Sequence, residues 1–116
     1  MAVTVTIWHN PRCSKSRETL ALLRARGIEP AIRLYLENPP SRAELADVVR
    51  RLGPPATALA RTGDAAFADL GLTTHLAEGD LLAALAAHPA LIERPLVIVG
   101  DRAALGRPPQ AVLALL

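Results

Sequence analysis

Three scarcities stand out in this chain of 116 residues: one cysteine, one lysine and three aromatic side chains. A single cysteine, Cys13, cannot close an internal disulfide, so nothing points to an oxidising compartment. With only His9, His75 and His88 besides that thiol, the chain also lacks the ligand spacing of a zinc site, and no metal is expected. Trp8, Tyr35 and Phe67 are too few to offer a stacking platform to bases. The basic residues are scattered rather than gathered in a stripe, so no nucleic-acid partner is expected. No apolar run reaches the ~18 residues of a membrane span. The opening MAVTVTIW has neither the basic flank nor the cleavage site of a signal peptide. The expectation is a cytoplasmic protein without membrane contact. Walker-type loops and dinucleotide fingerprints are missing as well. A tyrosine-phosphatase loop fails too, because the sixth residue after Cys13 is Thr19 and not arginine.

What is present is a chain long enough for one domain with a real core. Hydrophobic residues make up 51% of it, and with so few aromatics the core must be built from Leu, Val, Ile and Ala. Twelve of the thirteen basic residues are arginines, which lifts the pI to 9.3 although the formal charge is only +2. Arginine keeps its charge and offers oxyanions a planar fork, whereas lysine is a mobile point charge.

The β-branched alternation VTVTIW (3–8) predicts a strand, broken by Asn10 and Pro11. SKSRETLALLRARG, from Ser14, predicts a helix with Leu20, Leu22 and Leu23 as its apolar stripe and Gly27 as its stop. AIRLYL (31–36) predicts a second strand, parallel to the first through a crossover helix. Pro39 and Pro40 close that unit. Ser41 and Glu44 then form a capping-box signature that opens a helix over 41–52, stopped by Gly53 and Pro54. Between 55 and 88 the pattern gives only short helices: ATALAR, DAAFADLG and DLLAALAAH. LVIV and RAAL flank a Gly100-Asp101 turn as a hairpin, and PPQAVLALL ends the chain as a helix with proline at its first positions. The order is β-α-β, a helical block, then β-β-α: one layered α/β domain spanning 1–116.

The chemistry concentrates in HNPRCSKSR, residues 9–17. An ordinary thiol, with a pKa of about 8.5, is only a few per cent thiolate at neutral pH. Each unit of pKa depression needs about 1.4 kcal/mol of preference for the thiolate. A helix N-terminus supplies ~0.3–1 kcal/mol, so neighbours must add to it. Ser16 and Arg17, three and four residues after Cys13, can return to the sulfur over the first helical turn. Backbone N–H groups and the Ser16 hydroxyl would donate to the thiolate, and Arg17, Arg12 or a protonated His9 would supply positive charge. Ser16 also occupies the second position of a Cys-x-x-Cys pair, so any resolving thiol must come from outside. Each of Arg61, Arg94 and Arg107 ends an apolar segment or precedes a proline, where a loop would face such a site.

HNPRCSKSRETL, YLENPP, ALAR, HPALIERPLVIV and GRPPQAVLAL together resemble the glutaredoxin-coupled arsenate reductases, over nearly the whole chain and most closely their shorter branch. The resemblance implies a thioredoxin-like fold with a helical insertion at about 41–88. It implies Cys13 as nucleophile, Arg61, Arg94 and Arg107 as oxyanion ligands, and a cis peptide at Pro95. It further implies arsenate as substrate, no bound cofactor, glutathione as co-substrate and glutaredoxin as partner. Two alternatives share the fold. One is a mono-thiol, glutathione-dependent thiol-transferase, which needs Cys13 but not the arginine trio. The other is a non-catalytic, redox-responsive transcription regulator.

Overall fold

The β-branched run near the N-terminus becomes an interior strand of a four-stranded sheet. In the computed structural model, which describes residues 4–116, the strands are β1 (Val5–Trp8), β2 (Ala31–Arg33), β3 (Leu96–Val99) and β4 (Arg102–Leu105). Their order is β2-β1-β3-β4, with β1 parallel to β2 and both other pairings antiparallel. Val3, where the first strand was expected to start, lies outside the described residues. Strand β2 stops at Arg33, three residues short of the expected end. The Leu34 carbonyl accepts the N–H groups of Glu37 and Asn38, turning the chain before Pro39.

Helix α1 (Ser14–Ala25) ends as expected: Gly27, at φ 77°, takes the left-handed conformation that glycine tolerates, and its N–H donates to the Arg24 carbonyl. Its buried stripe is Ser16, Thr19, Leu20 and Leu23, while Leu22 is only half-buried. This corrects the expected stripe. The spacing 16, 19, 20, 23 follows the helical period and shows one face, which Leu22 does not share. Leu20 and Leu23 pack with Ile7, Val97, Val112 and Leu115, the last two from the 3-10 helix Pro109–Leu115. Val5 and Val99 adjoin the cluster, so alternate residues of β1 and β3 present one sheet face to it. Each fully buried Leu or Val in such a cluster stabilises the fold by ~1.5–3 kcal/mol. The C-terminal helix begins at proline as expected, but with 3-10 rather than α geometry.

The chain forms two compact units. The first comprises the described residues up to Asn38 together with Arg94–Leu116; the second is Pro39–Glu93, which contains the expected helical insertion. In the second unit, helix α2 (Arg42–Leu52) starts with the full capping box. Ser41 Oγ accepts the Glu44 N–H, and the Glu44 carboxylate accepts the Ser41 N–H, both at 3.1 Å. Its Leu45, Val48 and Val49 are buried, as are Leu81, Leu82 and Leu85 of α4 (Glu78–Ala87), and the two helices pack together. Between them lie the 3-10 turn Ala56–Leu59 and the short helix α3 (Ala65–Asp69), capped by Asp64. A single antiparallel bridge, Ala60 to Ile92, appears where the sequence shows no strand pattern.

Candidate active site

Strand register brings distant segments to one end of the sheet. Trp8 pairs with Leu96, and Leu96 with Leu105. The residues after β1, those before β3 and those after β4 therefore emerge together: His9 to Cys13, Arg94-Pro95 and Gly106-Arg107. The Gly106 N–H donates to the Pro95 carbonyl at 2.9 Å, and Arg107 Nη1 donates to the Arg94 carbonyl at 3.2 Å. The Arg94–Pro95 peptide is cis, as the resemblance implied, and so are Arg107–Pro108 and Pro54–Pro55. Gly106 is buried against its neighbours: a Cβ there would meet the Thr19 side chain and stand 2.7 Å from the Pro95 ring.

Cys13 is the N-cap of α1, partly exposed, with extended backbone (φ −93°, ψ 123°). The loop that carries it is held by its own backbone and by Asn10. The Cys13 N–H donates to the Asn10 carbonyl, and Asn10 Oδ1 accepts the Arg12 N–H, both at 3.0 Å. Arg17 Nη1 donates to the Pro11 carbonyl at 2.8 Å, bracing the same turn from outside.

Burial pushes the thiol pKa up, yet it ends below its ordinary value. The Ser16 backbone N–H is the strongest opposing group, followed by the Arg94 side chain as a donor, the Lys15 N–H and the Arg94 charge. No hydrogen bond to the cap side chain is closed. The N–H groups act on the sulfur as the open end of a helix acts on any anion.

The residues expected to help the thiolate are held by other partners in the same loop. The Ser16 hydroxyl is fully buried beneath the loop, where it lies 2.6 Å from His9 Nδ1 and accepts the Asn10 N–H at 3.0 Å. Ser16 therefore serves the sulfur through its backbone, not its hydroxyl. His9 is buried, and burial lowers its pKa, with the charges of Arg24 and Arg17 adding to the effect. These effects disfavour the charged imidazolium and weaken His9 as a source of positive charge for the thiolate. Arg17 is spent on Pro11 and acts electrostatically on His9. The cation that favours the thiolate is Arg94, which sequence reasoning had assigned only to an oxyanion.

Arg61 belongs to the other compact unit. There Arg61 N–H donates to the Leu91 carbonyl beside the Ala60–Ile92 bridge, and the side chain sits 3.6 Å from Asp64 and 3.8 Å from Glu93. Asn10 was missed as the brace of the thiol loop, although an asparagine before proline is a turn signal with this mechanism. The Gly106 joint was missed because its neighbours are 11 and 87 residues away. Among the described residues, no group of three His, Cys, Asp or Glu is placed to hold a metal ion, and no helix is long and apolar enough to cross a membrane.

A β-α-β…β-β-α order with a cysteine capping the first helix beside a cis proline defines a thiol protein of thioredoxin-like fold. The ArsC family profile matches residues 8–115, and the chain belongs to that family. An arsenate reductase of Haemophilus influenzae is 47% identical over 116 residues, covering 98% of this chain and all of the relative. An arsenate reductase of Rhizobium meliloti is 44% identical over 98% of this chain and 82% of its own length. The solved structure of an arsenate reductase from Vibrio cholerae superposes with a TM-score of 0.95 at 45% identity, over the full length of both chains.

Proposed function

We propose that the protein reduces arsenate to arsenite, with Cys13 as nucleophile and an external thiol as reductant. The observation that carries this is the placing of Cys13 as the N-cap of α1, where the Ser16 and Lys15 N–H groups and the Arg94 side chain all favour its thiolate. The same donors suit a tetrahedral oxyanion brought against the sulfur. Arg107, tied to the Arg94 carbonyl, is the further ligand we assign to the oxyanion. The relatives' names supply the element.

The Cys13 thiolate attacks arsenic, an S–As bond forms, and one arsenate oxygen leaves as water. The arginines stabilise the charge on the remaining oxygens. A glutathione thiolate then attacks Sγ. The electron pair of the S–As bond passes to arsenic, which leaves as arsenite, and Cys13 remains as a mixed disulfide with glutathione. Glutaredoxin takes the glutathione and restores the thiol. Ser16 offers no second sulfur, so the two electrons must come from outside in this way.

The test is a coupled assay with purified protein, glutathione, glutaredoxin and arsenate, followed by intact mass. Without glutaredoxin, arsenate plus glutathione should leave one glutathione on Cys13; glutaredoxin should remove it and restart turnover. Arsenite formation that survives Cys13→Ser would refute the mechanism.

A further inference from the structure

The loop that carries the thiol is also one wall of a groove. His9–Arg12, which follow β1, and Leu34, Leu36 and Glu37, which follow β2, line a volume of about 470 Å³. That volume lies in the range of roughly 300–1,000 Å³ of small-molecule sites. The wall runs directly into the reactive residue, because the turn Asn10–Cys13 is closed by its own hydrogen bond. Its chemistry is bipolar. Arg12 and Glu37, both exposed, come from the two different segments of the lining and pair neither with each other nor with another charged side chain among the described residues. The same lining includes Pro11, half-buried Leu34 and Leu36, which is 44% exposed.

A ligand matched to this lining has a carboxylate at one end, an ammonium at the other and a short aliphatic stretch between. It must also bring a thiol, since the chain holds no second one. We propose that this groove is the glutathione subsite: Arg12 takes a carboxylate of the tripeptide, Glu37 takes its ammonium, and Leu34 and Leu36 cover its backbone while its sulfur meets Cys13 Sγ. The proposal rests on the reading above that the reductant is an external low-molecular-weight thiol, but it is tested without arsenate.

The probe is glutathione disulfide. The Cys13 thiolate attacks one of its sulfurs, the S–S bond breaks, glutathione thiolate leaves, and the Cys13–glutathione disulfide forms with no net oxidation. Intact mass gives the rate. The same rate is taken with bis(2-hydroxyethyl) disulfide, which carries no charge, and the ratio of the two isolates recognition from thiol reactivity. Arg12→Glu and Glu37→Lys should each lower that ratio about tenfold, the scale of one lost charge-assisted contact. An unchanged ratio in both variants overturns the proposal. So does a normal ratio combined with slowed reduction of the adduct by glutaredoxin, which would make the groove a protein-docking surface. A lowered ratio in a protein that fails to reduce arsenate upholds the subsite and refutes only the choice of oxyanion.

Discussion

Replacing Gly106 by alanine tests how tightly the active end of the sheet is built. The added Cβ would overlap Thr19 Oγ1, stand 2.7 Å from Pro95 Cγ and 3.2 Å from Thr19 Cγ2. Neither neighbour yields easily. Pro95 is a ring next to β3, and Thr19 is β-branched, fully buried and donates its hydroxyl to the Lys15 carbonyl at 2.8 Å. Overpacking of this kind costs ~1–3 kcal/mol, and breaking the Thr19 bond adds about 1 kcal/mol. The sum is about 2–4 kcal/mol. At roughly 3–6 °C per kcal/mol for a chain of this size, Tm should fall by at least roughly 6 °C. Thermal melts followed by circular dichroism measure it. Thr19→Ala in the Gly106→Ala background should recover part of the loss, and the double-mutant cycle should show coupling between the two sites. A melting point within about 1 °C of wild type, or strictly additive effects, would refute the close packing described here.

Three further outcomes follow from the site and the fold. Because the folded environment favours the thiolate, Cys13 becomes anionic at lower pH than a free thiol; iodoacetamide alkylation against pH should show a midpoint below about 8.5, moving upward in Arg94→Ala. Arg94→Ala and Arg107→Ala should each slow arsenate turnover by about ten- to a hundredfold, the effect of one lost contact to a charged ligand. Steady-state kinetics unchanged in both would remove the arginine cradle. Ser41→Ala deletes the cap of α2 and should cost ~1 kcal/mol in a denaturant titration, while the alkylation midpoint stays where it is.

What could be read from the sequence was local. The capping box, the Gly27 stop and the Gly100-Asp101 hairpin each depend on residues a few positions apart, the crossover from β1 through α1 to β2 spans one helix, and each is present. The proline-free, largely apolar run AIRLYL overstated its strand, because turn hydrogen bonds at Leu34 outweigh propensity there. The Ala60–Ile92 bridge has no periodicity to betray it, being a single pair of residues. At the site, Cys13 was legible from its position between a strand and a helix. The division of labour around it was not. Whether Ser16 offers its hydroxyl or its N–H, and whether His9 is charged, depend on what buries them. Arg94 as the thiolate's cation is a product of strand register across 81 residues.

That register decides which parts of the gene can change length. Inserting or deleting residues between Asn38 and Arg94 leaves the pairings of Trp8 with Leu96 and of Leu96 with Leu105 untouched, since both ends of the excursion are anchored to the sheet. A one-residue slip of β3 along β1 is another matter. It would carry Arg94 about 3.3 Å along the sheet, turn Val97 away from Leu20 and Leu23, and leave the thiol loop facing a different residue. Insertions and deletions should therefore accumulate in the middle of the chain and be purged from the three short stretches that frame the sulfur.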